Sequence, residues 1–213
     1  MDAVRNAGGV PIILPVGGAD LRELIHFIDG IIFSGGGDID PNWYGGDSHS
    51  TNYNIDPERD RFELALMNIV LKSKLPTLCI CRGTQILNIV LGGNLIPHIP
   101  DVFGETVFHR TPDRKPVDHM IKIRPKSFLA IIMNKKVRNV KSWHHQSLDK
   151  LGKGLNAVAW SDDGVVEAVE LKKNELLLAV QLHPELNAAE NPLENHLFLD
   201  LVKKAKKVNY IPF

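Results

Sequence analysis

Two short stretches of this chain carry side chains that could do chemistry together. In Leu78-Cys79-Ile80-Cys81-Arg82-Gly83-Thr84-Gln85 an apolar run stops at Cys81 and turns into a helical pattern, with Ile86, Leu87, Val90 and Leu91 recurring before Gly92-Gly93 closes it. A thiol at such a turn meets the free N–H groups and the positive end of a helix, which favour thiolate over thiol. Cys81 is therefore a candidate nucleophile, and Gly83 allows the tight strand–turn–helix passage of a nucleophile elbow. Taken alone, a free cysteine is more often a small core residue, and Cys79, inside the strand, is expected to be one.

The second stretch is Gln181-Leu182-His183-Pro184-Glu185, at the end of another apolar run. Proline holds the preceding histidine extended and ends ladder pairing, so His183 and Glu185 leave the sheet together. A cysteine nucleophile needs a base, and the base needs a carboxylate to orient it. A third strand ends in Ser34-Gly35-Gly36-Gly37-Asp38, where glycines let backbone N–H groups approach an anion or oxyanion. No Lys-Ser/Thr follows, which excludes a Walker loop, and the spacing is not that of a dinucleotide fingerprint. His144 and His145 are adjacent; on a strand they would face opposite ways, and no cysteine or carboxylate cluster accompanies them in sequence, so no metal site is expected.

The elements that must position these groups alternate. Strands are expected at 10–14, 30–33 and 75–80, and helices at 21–28, from an Asp56-Pro57-Glu58 start to about 71, and after Cys81. Further on, strands at 117–123 and 137–143 flank a short helix at 127–133. Strands at 155–161, 165–171 and 176–181 follow, the first two joined by the turn signal Asp162-Asp163-Gly164. A last helix starts near Pro192, and the basic run Lys203–Lys207 reads as its solvated end. Parallel βα units in front and an antiparallel meander behind describe an α/β domain with helices on both faces. Met1–Ala7 reads as the tail of a helix capped by Gly8-Gly9 with no strand before it, so the first element of a doubly wound domain is expected to be missing.

The 213 residues, with 44% hydrophobic content, suit one domain over 1–213. Twenty-five basic and 25 acidic side chains balance, which argues against a nucleic-acid or membrane-surface partner held by bulk charge. The two cysteines are too close along a strand for an ordinary disulfide, and reduced thiols, with no signal-peptide pattern and no membrane-length apolar run, suit the cytoplasm.

Ile80-Cys81-Arg82-Gly83-x-Gln85 with His183-Pro184-Glu185 resembles the class I glutamine amidotransferase-like superfamily. The run from Ser34 to Pro41 followed by Tyr44-Gly45, Asp56-x-x-Arg59-Asp60-x-x-Glu63 and Ser142-Trp143-His144-His145-Gln146 narrow the resemblance to the peptidase C26 group of γ-glutamyl hydrolases. The chain departs from that pattern at Cys79, where glycine is usual, and at Lys141, where asparagine is common, and the group's N-terminal strand is expected to be missing from it. The resemblance implies a three-layer αβα sandwich with a mostly parallel central sheet and an antiparallel C-terminal extension. It implies no cofactor and a small-molecule γ-glutamyl amide or glutamine as substrate, and it leaves room for a homodimer. Catalysis would fall to Cys81, His183 and Glu185, with Gly36 and Arg82 N–H groups as oxyanion donors and Gln85 and His145 at the substrate. The activity implied is hydrolysis of γ-glutamyl amides, the alternative being a glutaminase subunit that passes ammonia to a partner synthase.

Overall fold

The computed structural model describes residues 1–17, 20–188 and 192–208. Its elements, in chain order, are α1 (Asp2–Asn6), α2 (Leu21–Leu24), β1 (Ile31–Phe33), α3 (Pro57–Val70), β2 (Thr77–Ile80), α4 (Arg82–Val90), β3 (Leu95–Ile96) and α5 (Ile99–Phe103). They continue with β4 (Val117–Ile123), α6 (Phe128–Met133), β5 (Val137–Ser142), β6 (Ser147–Leu148), β7 (Leu155–Ser161), β8 (Val166–Leu171), β9 (Leu177–Val180) and α7 (Pro192–Val208). Seven strands form one sheet in the order β1-β2-β9-β8-β7-β4-β5, and β3 pairs with β6 separately. The pairings β1–β2 and β2–β9 are parallel; those from β9 through β8, β7 and β4 to β5 are antiparallel.

Alternation along the central strands builds two cores, one on each face. Leu78, Ile80, Leu178 and Val180 point to one side, where they join Phe198, Leu201 and Val202 of α7. Cys79, Leu177 and Ala179 point to the other, against Met67 of α3 and Ile86 and Leu87 of α4. Each fully buried aliphatic side chain of this size contributes about 1.5–3 kcal/mol. With α1, α6 and α7 on one face and α3 and α4 on the other, the chain is a three-layer α/β sandwich.

Most elements lie where the sequence places them. Asp56 caps α3 by accepting from Glu58 N and Arg59 N, with Pro57 in the first turn. Residues 21–28 form a single α turn and a 3-10 turn (Ile25–Phe27) rather than one helix. The expected strand at 10–14 is a correction: the segment joins no sheet, and Val10, Ile12 and Ile13 are exposed. Pro11 lies within it and Pro15 follows it, and neither has an N–H to give a ladder. The parallel part of the sheet is accordingly three strands wide. Among the described residues no helix is long and apolar enough to cross a membrane.

Candidate active site

The site forms where parallel β2 and β9 end side by side. Ile80 pairs with Val180, so Cys81, one residue beyond β2, and His183, three beyond β9, leave the sheet at the same edge, the carboxyl-end position favoured for ligands in α/β sheets. Cys81 N donates to Val180 O at 2.8 Å, and Thr84 Oγ1 donates to the same carbonyl at 2.7 Å. Cys81 is the N-cap of α4 and sits at φ 50°, ψ −105°. Such a conformation costs a non-glycine residue about 1–3 kcal/mol and persists only where its surroundings enforce it. Gly83 makes the turn feasible, since a Cβ there would lie 2.3 Å from Phe33 O at the end of β1. Cys79 is fully buried in β2, and burial, reinforced by Glu63, pushes its thiol well above the ordinary cysteine range.

His183 is fixed from three directions. Its N–H donates to Lys141 O at 2.9 Å, its Nδ1 lies 2.6 Å from Glu185 Oε1, and the ring tilts against Trp143 at a centroid distance of 5.9 Å. An ionised carboxylate only accepts, so Nδ1 carries the proton and Nε2 is the nitrogen left for chemistry. Nε2 is buried without a hydrogen-bond partner within the protein. Burial disfavours the charged ring, but the interactions with Cys81 and then with Glu185 outweigh it and raise His183 to about 10.

The glycine loop closes over both groups. A Cβ on Gly35 would lie 2.8 Å from His183 Cε1 and 3.7 Å from Cys81 Cβ. Two guanidiniums hold this backbone in place. Arg59 donates to Gly35 O at 3.0 Å and to Glu63 Oε1 at 2.7 Å. Arg82, almost wholly buried, donates to Gly37 O at 3.2 Å, Asp60 Oδ1 at 2.8 Å and Glu63 Oε2 at 3.0 Å. Asp60 Oδ2 in turn accepts from Asp40 N at 3.0 Å. The sequence shows Arg59, Asp60 and Glu63 at helical spacing, but Arg82 and the loop carbonyls they engage lie in other elements, so only the fold reveals them as the clamp on the loop.

The two residues expected at the substrate are buried and engaged. Gln85, in the first turn of α4, reaches Gln181 Oε1 at 3.5 Å. His145 Nε2 lies 3.0 Å from both oxygens of Asp38, and its Nδ1 is 3.3 Å from His98 Nδ1. Asp38 also accepts from Tyr53 N at 3.1 Å, which ties the loop after the glycines to the 50s segment. Burial, with Asp38 and Asp40 nearby, pushes the neighbouring Tyr44 hydroxyl up to about 12.

The expectation that no carboxylate cluster accompanies His144 holds along the sequence but not in space. His109, His119 of β4, His144 and Glu167 of β8 are all buried, and one donor atom from each lies within 4.8 Å of the others. Burial lowers His144 to about 4, against the pull of Glu167. Neighbours in sequence could not show this group, because its members are spread over 59 positions and meet only when β4 and β8 enter one sheet around β7.

Known proteins agree with the architecture. The peptidase C26 family pattern matches residues 1–185. A glutamine amidotransferase-like protein of Rickettsia prowazekii is 35% identical, over 97% of this chain and 88% of its own. The γ-glutamyl-γ-aminobutyrate hydrolase PuuD of Escherichia coli K12 is 32% identical, over 93% of this chain and 81% of its own. The glutaminase domain of Trypanosoma brucei CTPS, solved with bound acivicin, superposes with a TM-score of 0.65 at 17% identity, covering 99% of this chain and 86% of that one.

Proposed function

The chain belongs to the peptidase C26 family, and from that premise we propose that it is a cysteine-dependent hydrolase of γ-glutamyl amide bonds. The observation that carries the reading is the strained Cys81 elbow standing with the Glu185-oriented His183 beneath one glycine loop. The Cys81 thiolate attacks the carbonyl carbon of the γ-glutamyl amide. The oxyanion that develops is held by the N–H of Arg82, at the first helical position where no intrahelical acceptor exists, and by that of Gly36. Each such donor is worth about 3 kcal/mol in the transition state. His183 gives its Nε2 proton to the leaving amine, the C–N bond breaks, and a γ-glutamyl thioester remains on Cys81. The now neutral imidazole takes a proton from water, hydroxide adds to the thioester, and the thiolate departs with glutamate released. Glu185 keeps the ring in the required tautomer throughout. Gln85 and His145 border the pocket for the γ-glutamyl group.

The Escherichia coli relative supports an amine such as γ-aminobutyrate as leaving group. The Rickettsia relative, glutamine amidotransferase-like by name, keeps a second reading in view: a glutaminase that passes ammonia to a synthase. A panel of γ-glutamyl amines and free glutamine, assayed with wild type and Cys81→Ala, separates the two. Partner-independent amine release that disappears in Cys81→Ala supports the hydrolase. Activity on glutamine alone, rising with an added synthase, replaces it with the second reading.

A further inference from the structure

We propose that His109, His119, His144 and Glu167 bind one divalent first-row transition ion, zinc by their chemistry, in a closed structural site. Three imidazole nitrogens approach one carboxylate oxygen: His109 Nδ1 lies 3.1 Å, His119 Nε2 3.4 Å and His144 Nε2 3.5 Å from Glu167 Oε1. In a tetrahedral zinc centre with bonds of about 2.0–2.1 Å, adjacent donors stand about 3.3–3.4 Å apart. None of these contacts has hydrogen-bond geometry. His109 Nδ1, His119 Nε2, His144 Nε2 and both oxygens of Glu167 are all buried without a hydrogen-bond partner. Leaving that many polar atoms unmatched in a protein interior is costly, and native folds rarely do so.

The far nitrogen of each ring explains which way the lone pairs point. His109 Nε2 contacts Asp163 Oδ2 at 3.0 Å, His119 Nδ1 contacts Met120 O at 3.2 Å, and His144 Nδ1 contacts Gln146 O at 2.9 Å. Every one of those partners only accepts, so each far nitrogen carries the hydrogen and each near nitrogen of the neutral ring presents a lone pair to the cluster. Three lone pairs and a carboxylate facing inward hold no donor among them unless a ring takes up a second proton, and a bound cation satisfies all four at once. The same arrangement, a carboxylate or backbone carbonyl behind each histidine, is what orients metal-bound imidazoles. Three nitrogens and one oxygen suit zinc better than magnesium or calcium, which prefer all-oxygen shells. His119 also lines a surface cavity of about 380 Å³ with Phe108, Asp118 and Asp162, which offers a cation an approach.

The site's place in the fold gives it a role. His144 lies between Trp143, which packs on His183, and His145, which contacts Asp38 behind the glycine loop. An ion gripping His144 would pin the segment between β5 and β6 against β4 and β8. That holds two supports of the proposed active site without touching substrate.

The test is metal uptake by the full chain after removal of metal with a chelator. Zinc should bind at one ion per chain, tighter than about 1 µM, and raise the melting temperature. Cobalt(II) in its place should give the intense visible bands of a four-coordinate centre. Glu167→Gln and His119→Ala should each weaken uptake by at least about 100-fold, and Asp163→Asn, behind His109, by about 10–100-fold. His98→Ala, in the separate His49–His98–His145 group, should leave uptake unchanged. A wild type that takes up no stoichiometric zinc overturns the proposal and leaves protons shared between the histidines and Glu167 as the cluster's counter-charge. Uptake that survives in folded Glu167→Gln and His119→Ala, or that depends on His98, also overturns it. Should those variants not fold, the wild-type cobalt spectrum decides: a weak six-coordinate spectrum overturns the proposal.

Discussion

Replacing Asp60 by asparagine tests whether the glycine loop is held by buried charge. Asp60 is inaccessible to solvent, and both its oxygens are committed, Oδ1 to Arg82 and Oδ2 to the backbone N–H of Asp40. Asparagine fills the same space but supplies one acceptor, so its NH2 must face either the guanidinium or the Asp40 N–H. Breaking a buried ion pair from one side costs about 3–5 kcal/mol when the surviving charge is stranded. Arg82 is not stranded, because Glu63 still meets its Nε at 3.0 Å, which brings the expected loss to about 2–3 kcal/mol, with Asp60→Ala nearer 4 kcal/mol. Urea unfolding should show a lower midpoint at an unchanged m-value, and thermal unfolding a fall of about 5–10 °C for a chain of this size. In an Arg82→Met background the Asp60→Asn loss should shrink by 1 kcal/mol or more, roughly the coupling of neighbours in one network. Amide hydrolysis should fall as well, since Arg82 loses one of the anchors from which it holds Gly37 O. A loss below about 0.5 kcal/mol, the size typical of uninvolved surface positions, or an equal loss in both backgrounds would refute the clamp.

Other consequences follow from the same geometry. Gly35→Ala puts a methyl group 2.8 Å from His183 Cε1; amide hydrolysis should drop about 100-fold from the displaced ring while the fold stays intact, and an unaltered rate would count against the placement of His183. Gly83→Ala meets the Phe33 carbonyl at 2.3 Å, so it should cost about 1–3 kcal/mol in unfolding experiments, and a neutral result would rule out the tight elbow. Because Cys79 is buried with its thiol pushed up, Cys81→Ala protein should resist iodoacetamide at pH 8; labelling at the wild-type rate would show that Cys79, not Cys81, is the reactive thiol. His183 is raised to about 10, with the interaction with Cys81 the leading cause that raises it. Its ring should therefore stay charged through neutral pH by NMR and lose its proton at lower pH in Cys81→Ala, and identical titrations would break the link between the two groups.

What the sequence discloses of this molecule depends on how far apart the interacting residues lie. The elbow is legible because strand, cysteine, glycine and helix are contiguous; so is the cap at Asp56, and so is the pairing of His183 with Glu185 across one proline. The apolar stretch at 10–14 misleads because the apolar pattern of a buried strand is local while its fate depends on a ladder, and two prolines remove the donors that a ladder needs. β3, β6 and α5 escape because two to five residues are too few for a period to register. The two buried charge networks escape for a different reason. Arg82 meets Asp60 across 22 positions and Gly37 across 45, and His109 meets Glu167 with four strands, β4 to β7, between them in the chain. Each residue by itself has an ordinary surface explanation in the sequence, and only burial makes its charge costly enough to demand a partner. The adjacency of His144 and His145 shows the limit most sharply. They do turn to opposite sides, although both lie between β5 and β6 rather than on a strand, and each joins a different buried group: one turns to Glu167 and the other to Asp38. Opposite sides of one short segment thus tie the glycine loop to the antiparallel half of the sheet, which is why a perturbation at Glu167 should be felt at His183 although the two share no side-chain contact.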